Sequence, residues 1–258
     1  MALKIKQLTI GYQAKKQLFF ATDLPDLSFA EGELIAVVGA NGCGKSTFLK
    51  TLLNLMQPIK GQISWQEKVI QDYSFNDWAK IQSVVLTDTL PPSNFSCTEI
   101  VALGRLPYTA WHGLIDSADH AIVTEVLAEM DLLHLKDKLH HELSDGQLQR
   151  TMIGRALVQN TPLMIFDEPT TYLDLAHQFK LIRLLKDLTH QKNKCIIFST
   201  HAIELAIEHA DYILAFTARG NFYGSPKELI ANKTINKLFE NDGLLFDDTL
   251  NKFVFKPI

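Results

Sequence analysis

The run Gly39-Ala40-Asn41-Gly42-Cys43-Gly44-Lys45-Ser46-Thr47 fits G-x-x-x-x-G-K-[ST], a loop that wraps phosphates in backbone N–H groups. It constrains the fold because it works only between a strand and a helix. Leu34-Ile35-Ala36-Val37-Val38 before it is a short apolar run with β-branched residues and predicts a buried strand. Residues 47–55 after it, apolar at Phe48, Leu49, Leu52, Leu53 and Leu55, predict a helix. The helix N-terminus then meets the phosphates, where its dipole and free N–H groups favour anions. Gly39, Gly42 and Gly44 let the backbone take positive φ and approach the ligand. In such a loop Lys45 reaches the β- and γ-phosphates, and the Ser46 hydroxyl ligates Mg²⁺.

The rest of the chain reads as alternating strands and helices. Strands are predicted at 3–10, 17–21, 33–38, 62–65, 68–70 and 80–86. From 98 to about 158 the pattern turns helical, interrupted by a loop around 107–116. Strands return at 163–166, 195–198 and 212–216, with helices at 175–189, 202–209 and 228–239 and a polar turn at 240–243. Apolar strands alternating with helices imply a parallel sheet buried on both faces. The helical stretch looks inserted into an α/β core rather than appended to it.

Composition narrows the function classes. A chain of 258 residues can bury a sizeable core, and a net charge of −4 offers no basic excess for nucleic acid. Cys43, Cys97 and Cys195 are odd in number and widely spaced, which suggests three reduced, buried thiols rather than a disulfide framework. The first six residues lack signal-peptide order, and no apolar run is long enough to span a bilayer. Any membrane role would need another subunit to supply the spanning helices.

Leu163-Met164-Ile165-Phe166-Asp167-Glu168 is an apolar strand ending in two carboxylates. Strand ends of a parallel sheet open onto the ligand crevice. Asp167 is suited to holding Mg²⁺ directly or through water, and Glu168 to polarising the attacking water. Leu143-Ser144-Asp145-Gly146-Gln147 precedes a helix predicted to start near Leu148. Read alone it is a Ser-capped helix; with a phosphate loop upstream it is also a second anion-binding arrangement.

Residues 39–47, 143–147, 166–170, Leu173-Asp174 and His201 together resemble the Walker A, signature, Walker B, D-loop and switch-histidine motifs of ABC-type ATPases, in their order and spacing. The resemblance covers essentially the whole chain. It implies an α/β P-loop NTPase of ABC type, with a RecA-like parallel-sheet core, an N-terminal antiparallel β subdomain and an inserted helical subdomain. One cassette would fill 1–258, with 98–158 as the helical signature subdomain between 1–97 and 159–258. The implied cofactors are ATP and Mg²⁺.

The same resemblance assigns roles. The nucleotide-binding set would be Gly39, Asn41, Gly42, Cys43, Gly44, Lys45, Ser46 and Thr47, with Tyr12 where adenine stacks. A strand tyrosine packed in a hairpin is the other reading of Tyr12. Ser46 and Asp167 would serve the metal; Lys45, Glu168 and His201 would be catalytic. Ser144, Gly146 and Gln147 would bind the γ-phosphate held by a second copy, and Asp174 would link the two sites. Two departures stand out. Asp145 replaces the commoner glycine of the signature, and Thr87-Asp88 stands where the family usually has a glutamine that touches Mg²⁺ or water. The residues leave open which of Thr87 and Asp88, if either, takes over.

Within the family, Val101-Ala102-Leu103-Gly104-Arg105-Leu106-Pro107-Tyr108 followed by Trp111-His112-Gly113-Leu114 resembles ATPase subunits of iron-chelate, haem and vitamin B12 importers. Leu106, Tyr108 and Trp111 would form an apolar docking surface for a permease, or pack the helical lobe. The implied partners are a second copy, permease subunits and, indirectly, a substrate-binding protein, with no nucleic acid. The implied place is the cytoplasmic face of the cell membrane. Iron-siderophore import comes first, haem or vitamin B12 import second. A soluble ABC ATPase, such as an adaptor in iron–sulfur assembly, is the alternative of a different class.

Overall fold

The computed structural model describes residues 3–14, 17–87, 93–109, 115–239, 243–248, 250 and 252–255. The chain divides into two compact units, Met1–Tyr73 with Leu185–Ile258, and Ser74–Leu184.

The first unit opens with β1 (Leu3–Ala14), β2 (Gln17–Asp23), β3 (Leu27–Phe29), β4 (Leu34–Gly39), α1 (Lys45–Leu52), β5 (Lys60–Trp65) and β6 (Lys68–Val69). Strand β1 pairs antiparallel with β2, β3 and β5, and β5 pairs with β6. Buried residues on β1 run 3, 5, then 8, 10, so the two-residue period slips by one. The cause is a bulge: the β1–β5 register shifts between Lys6 and Thr9, and Gln7 takes φ 49°. Opposite it stands Gly61, where a Cβ would lie 2.3 Å from the Gln7 carbonyl oxygen. Because strand side chains alternate, a one-residue slip moves every later residue to the other face. Tyr12 therefore shares the face of Leu8 and Ile10. Strand β4 is buried along its whole length, as its unbroken apolar sequence predicts.

The second unit holds α2 (Phe75–Ala79), β7 (Gln82–Val85), α3 (Cys97–Ala102), α4 (Ser117–Glu129), α5 (Asp145–Val158) and β8 (Leu163–Phe166). Strands β7 and β8 pair in parallel, Val85 opposite Phe166. Ile100 and Val101 of α3, Val123 and Leu127 of α4 and Ile153 and Ala156 of α5 form the helical core. Arg105 ties this core together. Its Nε donates to Asp119 Oδ1 at 2.7 Å and its guanidinium also donates to the Val158 carbonyl at 2.8 Å.

Helix α6 (Leu175–His190) carries the chain out of the second unit, and the first unit resumes with β9 (Cys195–Ser199), α7 (Ile203–His209), β10 (Tyr212–Thr217), β11 (Gly220–Gly224), α8 (Pro226–Ala231), β12 (Leu244–Asp247) and β13 (Lys252–Phe255). There β4 lies between β9 and β10, parallel to both, with β11 antiparallel on β10. Antiparallel β sheet, parallel α/β core and helical insertion are all present as the sequence predicts.

Several predicted boundaries move. The helix expected over 47–55 is Lys45–Leu52; Asn54 at φ 59° ends it and leaves Leu55 exposed. The strand expected over 80–86 shrinks to Gln82–Val85, since α2 forms before it with Ser74 as N-cap. The helix expected over 228–239 is instead α8 and a separate 3₁₀ turn, Ile235–Phe239, broken where Lys233 takes φ 57°. Cys97 and Cys195 are buried free thiols, but Cys43 is only half-buried, because it sits in an open loop. Residues 110–114, with Trp111, and 240–242 of the expected polar turn lie outside the described residues, as does Asp88.

Candidate functional site

In the first unit the phosphate loop joins β4 to α1. Gly39, Gly42 and Gly44 all have positive φ, at 155°, 76° and 110°. Two of them also have no room for a side chain: a Cβ at Gly39 would lie 2.7 Å from the Phe216 carbonyl oxygen, and one at Gly44 2.8 Å from the Phe20 ring. Gly44 is the N-cap of α1 and supplies no capping side chain. The first N–H groups of α1 are thus left for a ligand. Lys45 is buried, and its Nζ donates to the carbonyls of Gly39 and Ala40 at 2.9 and 3.2 Å. That curls the lysine over the mouth of its own loop, beside exposed Asn41 and Gly42 and half-buried Cys43. Burial pushes the Cys43 thiol up from its ordinary range, with Lys45 pulling the other way. Ser46 is exposed at the first turn of α1.

Tyr12 is half-exposed, and its hydroxyl accepts from Thr47 Oγ1 at 3.1 Å. The register shift of β1 has brought it to the helix that follows the phosphate loop. His201 reaches the same rim by another route. Val37 of β4 and Ser199 of β9 are register partners, and the Thr200 N–H donates to the Val37 carbonyl at 3.1 Å. Gly39 and His201 therefore stand two residues beyond paired positions, at the carboxyl ends of adjoining parallel strands, where ligands of such sheets bind. A cleft of about 440 Å³ flanks the loop, walled by Phe20, Asn41, Phe216, Asn221 and Lys237. Its volume is that of a small-molecule site.

In the second unit Asp167 follows β8 and is almost wholly buried, at 1% exposure. Its N–H donates to the Val85 carbonyl at 2.8 Å, which extends the β7–β8 ladder by one step. That step brings Thr87 within reach, and its hydroxyl donates to Asp167 Oδ2 at 3.2 Å. Glu168 takes φ 50°, a left-handed conformation that costs a side-chain-bearing residue about 1–2 kcal/mol. Such strain concentrates at functional sites, where surrounding structure enforces it. Here Thr171 contributes: its N–H donates to the Glu168 carbonyl at 3.2 Å and its hydroxyl meets Glu168 Oε2 at 3.4 Å.

The segment 143–147 folds as its capping reading predicts. Helix α5 starts at Asp145, three residues ahead of the predicted start, with Ser144 as N-cap. The Gln147 N–H donates to Ser144 Oγ at 3.4 Å, and the Ser144 N–H donates to Gln147 Oε1 at 3.1 Å. Asp145, in place of glycine, is a first-turn acid and suits the helix dipole. Gly146 is constrained by packing: a Cβ there would lie 2.8 Å from the Tyr172 carbonyl oxygen. The turn that carries Asp174 thus rests against the start of α5. Asp174 itself accepts from the His177 N–H at 2.9 Å, and these hydrogen bonds hold its carboxyl below the usual range.

Sequence reasoning passed over the groups that hold this loop in shape. Gln149 Nε2 donates to the Pro169 carbonyl at 3.2 Å, and Gln178 Nε2 to the carbonyls of Thr170 and Leu173 at 3.3 and 2.9 Å. Their only sequence signal is position, one helical turn inside the helix on either side of the loop. Among the described residues no three or more His, Cys, Asp or Glu gather into a metal-holding group. The buried Asp167 carboxylate fits Mg²⁺, a hard cation that favours carboxylate and phosphate oxygens and keeps several waters.

Strand, glycine loop and helix in this arrangement define a P-loop nucleotide-binding fold. The family model described as "ABC transporter" matches residues 23–171, and the chain belongs to that family of ATP-hydrolysing cassettes. An uncharacterised ABC transporter ATP-binding protein of Methanocaldococcus jannaschii is 34% identical over 98% of this chain and 87% of its own. The achromobactin transport ATP-binding protein CbrD of Dickeya dadantii is 32% identical over 96% of this chain and 91% of its own. Among solved structures, an inward-facing ABC transporter assigned to the metal-chelate type superposes with a TM-score of 0.79, at 28% identity, over 98% of this chain and 95% of that one. A dimeric ATP-binding cassette in a post-hydrolysis state with ADP and Pi superposes with a TM-score of 0.73, at 27% identity, over 83% of this chain and 94% of that one.

Proposed function

We propose that this chain is the ATPase subunit of an importer for ferric siderophores. The observation that carries the solute class is the near-full-length similarity to the achromobactin transport protein, together with the metal-chelate type of the structural neighbour.

In this reading 1–258 is one cassette, with 98–158 as its helical signature subdomain. Lys45 and the loop amides bind the β- and γ-phosphates of ATP, and Tyr12 stacks on adenine. Ser46 and Asp167 hold Mg²⁺, which screens the charge of the phosphates when bound. Glu168 accepts a proton from the attacking water, and His201 orients that water against the γ-phosphate. Most of the catalysis comes from positioning and electrostatics. The curled Lys45, the strained Glu168 and the placement of His201 beside the loop support these assignments.

Ser144, Gly146 and Gln147 close on the ATP of a second copy, with Asp174 linking the two sites. The dimeric post-hydrolysis neighbour supports a two-copy sandwich. Among the described residues no helix is long and apolar enough to cross a membrane. In this reading the chain works on the cytoplasmic face through permease subunits, fed by a substrate-binding protein. Leu106 and Tyr108, both substantially exposed, offer apolar surface for that docking.

The test is solute uptake in cells lacking this gene and complemented with it or with Lys45→Ala. Uptake of ferric siderophore should be restored only by the unaltered gene. Uptake of haem or vitamin B12 restored instead would transfer the assignment to that solute.

A further inference from the structure

Thr87-Asp88 stands where the resemblance places a glutamine after β7, and the fold shows what Thr87 touches. We propose that Thr87 is a positioning residue for the magnesium carboxylate, its hydroxyl holding Asp167 in the orientation that a cation requires. The proposal rests on Asp167 being that carboxylate.

Three observations carry it. First, the contact follows from backbone register. Val85 pairs with Phe166, and the Asp167 N–H continues the ladder to the Val85 carbonyl, so Thr87 and Asp167 leave adjoining strand ends together. Second, the bond has one possible direction. A carboxylate only accepts, so the single hydroxyl proton of Thr87 goes to Asp167 Oδ2, at 3.2 Å. Hydrogen bonds to an ionised acceptor are the stronger kind. Third, the two residues differ in exposure: Thr87 is exposed and Asp167 buried. The bond fixes a buried carboxylate from the solvent side, through a β-branched side chain stiff at χ1. Having donated its proton, Thr87 Oγ1 keeps lone pairs that can accept from a cation-bound water.

The test is Mn²⁺ binding, followed by electron paramagnetic resonance with a non-hydrolysable ATP analogue, and analogue binding without metal. It uses the full chain and Thr87→Val, Thr87→Ser and Asp167→Asn. Loss of an outer partner of a metal ligand typically weakens metal binding about 10–100-fold. Thr87→Val should weaken Mn²⁺ about tenfold while leaving metal-free analogue binding unchanged, and Thr87→Ser should stay near wild type. Wild-type Mn²⁺ affinity in Thr87→Val, with Asp167→Asn weakened, would overturn the proposal and leave the carboxylate reading standing. Unaltered Mn²⁺ binding in Asp167→Asn would overturn both. Equal loss of metal-free binding in Thr87→Val would make Thr87 merely structural, and equal loss in Thr87→Ser would show that the hydroxyl is not what matters.

Discussion

Glu168 joins the proposed chemistry to a measurable strain, and the two can be separated by comparing Glu168→Gly with Glu168→Ala. Both lack the carboxylate, so both forfeit the 3.4 Å contact from Thr171 and that loss cancels between them. Their difference is the backbone at φ 50°. A left-handed conformation costs alanine about 1–2 kcal/mol and glycine almost nothing. Against that, glycine loses about 0.4–1 kcal/mol more through the freedom of its unfolded chain. The glycine variant should therefore be the more stable by about 1 kcal/mol, which for a large domain is about 2–4 °C in melting temperature. ATP turnover should fall in both by roughly a hundredfold to ten-thousandfold, the usual contribution of a general base. Phosphate release and calorimetry on the two purified variants read the two effects separately. Equal melting temperatures would show that position 168 stores no strain. Turnover within a few-fold of wild type would remove Glu168 as the base.

Gly44→Ala should lower nucleotide affinity and cost about 1–3 kcal/mol of stability, because the new Cβ meets the Phe20 ring at 2.8 Å with φ at 110°; fluorescent-nucleotide titration and thermal melts check both. Arg105→Ala should cost about 3 kcal/mol in urea unfolding, since Asp119 would stay buried without its partner, and Arg105→Lys should recover only part because the forked donors are lost. Ser144→Arg should block the ATP-bound dimer in light scattering while single-copy ATP binding persists; Ser144→Ala, which removes the cap, worth about 1 kcal/mol, together with the hydroxyl that meets the second copy's ATP, should weaken the dimer less than the bulky charged arginine does. Glu99 and Glu228 are held below their usual 4.5 by hydrogen bonds from the backbone N–H and hydroxyl of Ser96 and Ser225. A carboxyl whose folded pKa is depressed adds stability above 4.5 and loses it as pH falls below, so Glu99→Gln should flatten the acid limb of the melting curve.

Much of the candidate site was legible because its signals are local. A phosphate loop needs glycines, a lysine and a hydroxyl at set spacing between strand and helix, and those are properties of consecutive residues. All three glycines take the positive φ that the motif implies. The strand predicted at 163–166 is β8, residue for residue, because four apolar residues ending in two acids admit few alternatives. What escaped was non-local or masked by polarity. Strand β11 is Gly220–Gly224, too rich in glycine and polar groups to signal itself, and it forms because β10 offers an edge. The Ser144 cap is legible in the sequence, but α5 begins at Asp145 rather than near Leu148, since apolar periodicity begins after the cap does.

The sequence by itself determined which groups are present to handle a nucleoside triphosphate and in what order along the chain. Only the tertiary structure decided how they are held. Tyr12 meets Thr47 because a bulge at Gln7 slips one strand by one residue. Gly146 abuts the Tyr172 carbonyl, so the signature segment and the turn before Asp174 share one surface. Thr87, one of two residues standing where the resemblance places a glutamine, lies 80 residues from Asp167 and donates to it. Contacts of that kind depend on strand register, and register is set by the burial of distant residues against one another rather than by any short run of the chain.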